Sequence, residues 1–254
     1  NFEYQSHMLK PGQLKTISLA RPPMMDQVRP EMLRQKGFSP DVWRIIFSSG
    51  CCGICELESF GYEVRRPRAD EKPAKTLLAH GSSITHSGLD GYPFVAARRL
   101  GLDFINLGSS GTCQVEAPMA DFIAERNDWD IATLEFGINI LNFVTPDDFR
   151  QRVEYFVSTL VKTHPEKHIV LISTFPFNER QGIVIPEKAT GTYTVDDIAY
   201  CQIMRDIQKS FEHKKLHFIE GSDIMDEFNC VSADMLHPRN YGHAVMGLNL
   251  AAHL

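Results

Sequence analysis

The sequence TLLAHGSSITH, residues 76–86, contains the first pattern from which the fold of this chain can be predicted. It begins with the apolar pattern of a buried strand over residues 76–79 and continues into a turn of small and hydroxyl residues. Four more apolar runs follow at intervals, at residues 103–107, 130–136, 168–173 and 216–219. Helical patterns separate these runs and close the chain, at residues 91–100, 118–126, 146–163, 195–213 and 240–254. The alternation predicts a three-layer α/β/α fold with a five-stranded parallel sheet covered on both faces.

The residues before this stretch have a different character. Strand-like patterns occur at residues 14–20, 41–47 and 56–64, and a short helical pattern at residues 24–36 lies between the first two. No long amphipathic pattern occurs there, so we expect a small antiparallel β module over residues 1–73, truncated at its start because residue 1 is not Met. The polar, proline-containing residues 65–75 are typical of a linker to a second domain over residues 74–254.

The composition excludes several classes of protein. The 254 residues are 43% hydrophobic and 23% charged, as in ordinary globular proteins, and the net charge of −6 gives no basic footprint for nucleic acid or anionic membrane. No apolar run approaches the ~20 residues of a membrane-spanning helix. Six cysteines are too few for a disulfide framework, and Cys52 and Cys55 have only half of a zinc-site spacing. We therefore expect reduced thiols, no nucleic-acid or membrane partner, and a cytoplasmic location.

Polar side chains are concentrated in the loops that follow the predicted strands, where open parallel sheets bind their ligands. These loops, and a segment before the last helix, supply hydroxyls, an amide, a carboxylate and an imidazole, at residues 80–86, 108–112, 137–139 and 234–238. Such groups suit acyl transfer by an activated serine. In the last segment Asp234 precedes His237 by three residues, so its carboxylate can accept the imidazole Nδ1–H and leave Nε2 free as a base. Pro238 favours an extended His237, and hence a loop.

Four such segments in this order resemble the SGNH, or GDSL-like, hydrolase superfamily over residues 76–254. The resemblance implies a flavodoxin-like sheet and a catalytic triad in which Ser83 is the nucleophile, His237 the base and Asp234 its orienting acid. It also implies an oxyanion hole formed by the backbone N–H groups of Ser83 and Gly108 and by the side-chain amide of Asn139. No metal or organic cofactor is implied.

Two positions depart from the family pattern, since Ser82 and Ile140 stand where Asp is usual. Neither position has the nucleophile, base or oxyanion role. The Gly-Ser-Ser-Ile-Thr sequence, together with residues 38–43 and 65–68, resembles a subgroup with an N-terminal β-sandwich, many of whose members resemble carbohydrate esterases.

The function implied is a serine esterase acting on a small-molecule ester. The small residues around Ser83 favour a short acyl group such as acetyl, and an acylated sugar is the first expectation for the substrate. A lipase or acylhydrolase acting on longer chains and a non-catalytic carbohydrate-binding protein are the alternatives. A nucleotide-binding protein is disfavoured because no Gly-Lys-Ser/Thr follows the glycine-rich residues 108–111. An α/β-hydrolase is disfavoured because Thr85 replaces the second glycine of G-x-S-x-G.

Three further expectations concern residues outside the triad. Glu135, at the end of a predicted strand, is expected to be a buried, hydrogen-bonded carboxylate. Structural roles are expected for His80, His86 and His243. Residues 177–194 are expected to cover the pocket, to form a subunit contact or to be a surface loop, and a homo-oligomer is left open.

Overall fold

A computed structural model of the chain describes residues 4–33, 37–47, 52–141, 143–177 and 197–254. The chain divides into two compact units, Asn1–Ala74 and Lys75–Leu254, at a point one residue from the predicted boundary. Apart from Phe177, the predicted loop at residues 177–194 lies outside the described residues.

The first unit has little regular structure in its described residues. These contain two 3₁₀ turns, Pro23–Gln27 and Ala69–Glu71, and the short helix α1, Pro30–Leu33. No strand is present there, so the predicted β module is not shown and stays a prediction. A strand pattern is stabilised when one of its faces is buried, and none of the side chains in the predicted strand segments 14–20, 41–47 and 56–64 is buried.

The second unit contains the predicted five-stranded parallel sheet. Its strands are β1 (Thr76–Gly81), β2 (Asp103–Gly108), β3 (Ile131–Glu135), β4 (His168–Ile172) and β5 (Leu216–Ile219). Their spatial order is β2-β1-β3-β4-β5, and every neighbouring pair is parallel. This order is flavodoxin-like, and it reverses direction between β1 and β3. A crevice therefore opens beyond the carboxyl ends of these two strands.

Helices cover both faces of the sheet. They are α2 (Ser83–His86), α3 (Tyr92–Leu100), α4 (Ala117–Ala124), α5 (Pro146–Thr163), α6 (Asp197–Ser210), α7 (Gly221–Ile224) and α8 (Asn240–His253). Helices α3 and α8 pack together over one apolar cluster that includes Tyr92 and Met246. Helices α4 to α6 cover a second cluster that includes Phe149 and Phe156. The three-layer prediction is confirmed.

Local signals explain where the longer helices begin and end. Helix α5 follows Thr145, whose Oγ1 accepts a hydrogen bond from the backbone N–H of Asp148 at 3.2 Å, and Pro146 occupies its first turn. Helix α3 ends at Gly101, which adopts the left-handed conformation with φ of 73°. Both helices therefore agree closely with the ranges predicted from the sequence.

Candidate active site

Ser83 lies at the first position of α2, in the tight turn that follows β1. Ser82 precedes the helix as its N-cap, and its Oγ accepts a hydrogen bond from the backbone N–H of Ile84 at 3.2 Å. Ser82 is buried, whereas Ser83 is partly exposed. The turn therefore presents the Ser83 hydroxyl at the carboxyl edge of the sheet.

Asp234 and His237 share one loop immediately before α8. An antiparallel bridge between Val231 and Pro238 closes this loop, and the Ser232 N–H donates to the His237 carbonyl at 2.7 Å. Within the loop Met235 has φ of 58°, a left-handed conformation that is uncommon for a residue with a side chain. This conformation turns the chain sharply between the carboxylate and the imidazole.

The three predicted triad residues form a continuous relay. The distance from Ser83 Oγ to His237 Nε2 is 2.7 Å, and the distance from His237 Nδ1 to Asp234 Oδ2 is also 2.7 Å. With Asp234 ionised, His237 carries its proton on Nδ1, so Nε2 is free to accept the Ser83 proton. The relay is open to solvent, since the side chains of His237 and Asp234 are 43% and 51% exposed.

The surroundings of Asp234 keep its carboxyl group ionised. Partial burial acts to raise its pKa, but the hydrogen bonds that it accepts outweigh burial and hold the pKa of Asp234 well below its usual range. Oδ1 accepts from the backbone N–H groups of Leu236 at 3.0 Å and His237 at 2.9 Å, and from the Ser232 hydroxyl at 2.7 Å. Asp234 therefore stays an anion while it orients His237.

The predicted oxyanion donors differ in availability. The backbone N–H of Ser83 has no hydrogen-bond partner among the described residues. The backbone N–H of Gly108, in contrast, donates to Asn106 Oδ1 at 2.8 Å, so the structure gives the predicted donor a different partner. Close packing explains why position 108 is a glycine, because a Cβ there would lie 2.4 Å from the backbone N and Cα of His86. The glycine allows β2 to pack closely against α2.

Asn139 lies beyond the end of β3 with one side of its amide already bound. Its Oδ1 accepts the backbone N–H of Cys113 at 3.4 Å, while Nδ2 has no partner in the described part of the chain. The turn that holds Asn139 requires Gly137, which has φ of 128° and where a Cβ would lie 2.2 Å from Thr174 Oγ1. The amide can therefore donate from Nδ2, although it makes no hydrogen bond to the triad residues.

The loop after β2 contains a second glycine that the sequence-based assignment missed. Gly111 has φ of 71°, and its N–H has no partner within the described ranges. On one side of it, Ser110 Oγ lies 3.0 Å from His86 Nδ1, at the end of α2. On the other side, the Cys113 N–H bonds to Asn139. The loop is thus attached to both elements that flank the crevice, and the repeated glycine in Gly-Ser-Ser-Gly is the sequence signal for it.

Asn106 is a second residue that the sequence analysis missed. Its Nδ2 lies 3.2–3.3 Å from the carbonyl oxygens of Thr85, His86 and Ser87, at the end of the short helix α2. One side chain on the edge strand β2 therefore binds the helix that begins at Ser83. A polar Asn within an apolar strand pattern is the signal that could have indicated this role.

The neighbouring histidines behave as expected of structural residues. His80 is buried, stacks on Phe156 and lies 2.7 Å from the Leu107 carbonyl through Nδ1; burial lowers its pKa. His243 is also buried, and burial lowers its pKa to about 4. Its Nδ1 accepts the Tyr92 N–H at 3.3 Å, which fixes the neutral tautomer. Both side chains are therefore uncharged near neutral pH.

A serine, an imidazole and a carboxylate joined in this order at the edge of a parallel sheet define the arrangement of a serine hydrolase. Among the described residues, no group of three or more His, Cys, Asp or Glu side chains is placed to hold a metal ion. No helix in the same part of the chain has both the length and the apolar character needed to cross a membrane.

The family follows from a comparison with known protein families. The GDSL-like Lipase/Acylhydrolase family matches residues 75–248, so this chain belongs to that family. The match covers the whole sheet and both loops of the triad. No protein of the curated set matches the chain.

Solved structures with the same fold share little sequence with the chain. A protein from Bacteroides ovatus ATCC 8483, described as a candidate GDSL-like lipase, has 22% identity and a TM-score of 0.57 over 70% of this chain and 52% of its own. The salicylyl-acyltransferase SsfX3 of a tetracycline biosynthetic pathway has 18% identity and a TM-score of 0.56, over 69% and 52%. A carbohydrate esterase of family 2 with a carbohydrate-binding domain, from Corynascus thermopiles (Myceliophthora fergusii), has 16% identity and a TM-score of 0.53, over 75% and 67%. The chain thus spans about half the length of the first two proteins.

Proposed function

We propose that this protein is a serine esterase that hydrolyses short-chain carboxylic esters through Ser83, His237 and Asp234. The observation that supports it most directly is the relay of two 2.7 Å contacts from Ser83 Oγ to Asp234 Oδ2. Membership of the GDSL-like family supports the same class of reaction.

In the first half of the reaction, Ser83 Oγ attacks the ester carbonyl carbon while His237 Nε2 takes the hydroxyl proton. The tetrahedral intermediate collapses as the C–O bond to the alcohol breaks, and His237 gives its proton to the departing alkoxide oxygen. In the second half, His237 takes a proton from water as that water attacks the acyl-enzyme. The acid is released, and the proton returns to Ser83.

Asp234 stabilises the imidazolium that forms twice in this cycle. Its hydrogen bond to Nδ1 keeps the imidazole in the tautomer that the proton transfers require, and its negative charge lies beside the positive ring. Because its own pKa is far below neutrality, Asp234 does not take up the proton itself.

For the oxyanion we propose three donors: the Ser83 N–H, the Asn139 Nδ2 amide and the Gly111 N–H. Gly111 takes the place that the sequence analysis gave to Gly108, because the Gly108 N–H is already bound to Asn106 while the Gly111 N–H is not. Removal of one such donor costs about 10²–10³-fold in kcat in comparable enzymes. Asn139→Ala should therefore lower kcat by about this factor and leave KM nearly unchanged.

For the substrate we propose an acetyl-like ester of a carbohydrate. The small residues around Ser83 support a short acyl group, and the exposed relay supports a large alcohol that need not enter a deep pocket. The fold similarity to a carbohydrate esterase is consistent with this choice. Hydrolysis of longer acyl chains and carbohydrate binding without turnover are the competing functions.

The test compares hydrolysis of p-nitrophenyl acetate, butyrate and octanoate by the wild-type protein, by Ser83→Ala and by Ser222→Ala. Ser222 is an exposed serine in α7, a helix that contains no proposed site residue, and serves as the matched control. We expect turnover that is fastest with acetate, lost in Ser83→Ala and retained in Ser222→Ala. Equal weak rates in all three proteins would remove Ser83 as nucleophile and favour the binding protein.

The alcohol side is tested separately with acetylated glucose, by measuring the acetate released. Release at a rate at least comparable to that with p-nitrophenyl acetate would support a sugar ester. Fast octanoate turnover without acetate release from the sugar would instead favour a lipase or acylhydrolase.

A further inference from the structure

The carboxyl group of Glu135 lies directly beneath the turn that presents Ser83. Glu135 is the last residue of β3, and only 1% of it is exposed. Its Oε2 accepts a hydrogen bond from the backbone N–H of Ser82 at 2.7 Å and another from the Thr85 hydroxyl at 3.1 Å. One carboxyl oxygen therefore binds the chain both before and after Ser83.

The contacts of Glu135 extend into a wholly buried polar network. The Tyr92 hydroxyl lies 2.9 Å from Thr85 Oγ1, so Tyr92 can donate to Thr85 while Thr85 donates to the carboxylate. Thr85 and Tyr92 are fully buried. The backbone before Ser83 also lies very close to the Glu135 carboxylate, since a Cβ on Gly81 would lie 2.6 Å from Oε2. The carboxylate is the acceptor in which this chain of donors ends.

Such a group is costly to keep in the interior. A buried carboxylate loses its hydration, and Glu135 Oε1 has no hydrogen-bond partner among the described residues. The acyl-transfer steps do not use this carboxylate, because Asp234 already orients the base. A role in holding the turn that contains Ser83 would account for the presence of this buried carboxylate.

We propose that Glu135 is a positioning residue of the esterase: by binding Ser82 and Thr85, its carboxylate holds the turn so that the hydroxyl and N–H of Ser83 keep their catalytic orientation. This inference rests on the proposed function for its kinetic part only. The contacts of Ser82 and Thr85 with Glu135 exist whether or not the protein turns over an ester.

The charge state of Glu135 matters for this role. Burial raises its pKa to about 7, against the opposing effect of the hydrogen bonds from Ser82 and Thr85. The titratable groups that face it are Tyr92 from α3 and Cys113 from the loop after β2. The pKa values of Tyr92 and Cys113 lie well above their ordinary values, mainly because both groups are buried and also because the charge of Glu135 is near. Both groups therefore stay neutral. Glu135 is therefore the group of this network that titrates near neutral pH.

Protonation would weaken the hold on the turn. A proton on Oε2 would compete with the two donors already bound there, and a proton on Oε1 would have no acceptor among the described residues. The ionised form of Glu135 is therefore the one that can accept both the Ser82 N–H and the Thr85 hydroxyl. We therefore expect the ionisation of Glu135 to contribute to the acid side of the activity profile.

The kinetic test uses Glu135→Gln and Glu135→Ala, with p-nitrophenyl acetate as substrate and rates expressed per folded molecule. Gln keeps an acceptor oxygen for Ser82 and Thr85, whereas Ala removes it. We expect kcat to fall about 10-fold in Glu135→Gln and at least about 100-fold in Glu135→Ala, with KM within about 2-fold of wild type. In Glu135→Gln the contribution of this ionisation to the acid side of the profile should disappear.

The matched controls lie at Thr85. Thr85→Ser keeps the hydroxyl and should retain kcat within about 3-fold, whereas Thr85→Val removes the donor and should resemble Glu135→Gln at neutral pH. A kcat of Glu135→Ala within about 3-fold of wild type, per folded molecule, would overturn the proposal. So would an unchanged pH profile in Glu135→Gln.

A substrate-free measurement separates this inference from the proposed function. Hydrogen exchange of the backbone amides of residues 82–87 reports directly on how firmly the turn is held. We expect exchange there to accelerate at least about 10-fold in Glu135→Ala and much less in Glu135→Gln, with α5 unchanged as an internal reference. Unchanged exchange in Glu135→Ala would overturn the positioning role, whereas an inactive wild-type protein with this exchange pattern would overturn the esterase alone.

Discussion

Replacement of Asp234 by Asn tests the relay most stringently, because it changes the charge and tautomer of the pair while leaving its shape nearly intact. Asp234 Oδ1 accepts two backbone N–H groups, those of Leu236 and His237, and Oδ2 faces His237 Nδ1. An Asn oxygen is therefore held at the Oδ1 position, and the NH₂ group must face Nδ1. His237 then has to accept at Nδ1 and carry its proton on Nε2, where it can no longer take the proton of Ser83.

The expected loss follows from this wrong tautomer. We expect kcat for p-nitrophenyl acetate to fall by about 10³–10⁴-fold in Asp234→Asn, as in other triads with an amide in place of the acid. The melting temperature should change little, because both backbone donors keep their acceptor. A kcat within about 10-fold of wild type would refute the tautomer argument.

The matched control for this experiment is Ser232→Ala. Ser232 donates to the same carboxylate, on Oδ1, without contacting the imidazole. Its loss removes one hydrogen bond at an exposed group, worth about 1 kcal/mol, so kcat should fall by less than about 10-fold. If the two variants lost kcat equally, the effect of Asp234→Asn would reflect a disturbed loop and not the tautomer.

Three further predictions concern stability. Met235→Gly should not raise the free energy of unfolding in denaturant melts: glycine adopts φ of 58° without steric cost, but the substitution removes a partly buried side chain that packs on the apolar cluster of Met246 and adds entropy to the unfolded chain; a gain of about 1 kcal/mol would contradict it. Gly108→Ala should lower that free energy by about 1–3 kcal/mol, since the added Cβ meets the backbone of His86, whereas Gly88→Ala, which has open space, should not. Burial depresses the pKa of His243 to about 4, below the ordinary 6.5, so the unfolded chain binds the extra proton first and wild type should lose stability as the pH falls from about 6.5 to 4. His243→Gln should lose less over that interval, and parallel curves for the two proteins would exclude His243 as the cause.

The parts of the fold that local sequence signals determine agree with the structure. Helix α5 spans Pro146–Thr163 as predicted, because an N-cap and a first-turn proline are features of neighbouring residues. Strand β5 likewise matches its apolar run. The strand patterns before residue 65 are not seen in the described residues, because a period of two indicates a strand only where another element buries one of its faces.

The contacts of the candidate site likewise include local ones, which the sequence could predict, and long-range ones, which it could not. Asp234 and His237 interact at a spacing of three residues, which a single turn can satisfy, so their partnership could be predicted. The partner of the Gly108 N–H, Asn106, is only two residues away, and an Asn side chain often accepts the N–H two residues further on. What the sequence could not show is that Asn106 Nδ2 also contacts the carbonyl groups at the end of α2, about 20 residues away. Glu135 is buried as expected, but its contacts with the turn of Ser83 span about 50 residues and depend on the register of β1 beside β3.

Within the loop that holds Asp234 and His237, local contacts set the orientation of the proposed base, whereas its distance from the proposed nucleophile depends on the fold of the whole unit. Asp234 and His237 are three positions apart, but Ser83 and His237 are 154 positions apart, and the helix that follows His237, α8, packs on α3. Substitutions that shift α8, such as those near Gly247 and Val95, could therefore tune the rate without altering the chemistry of the base.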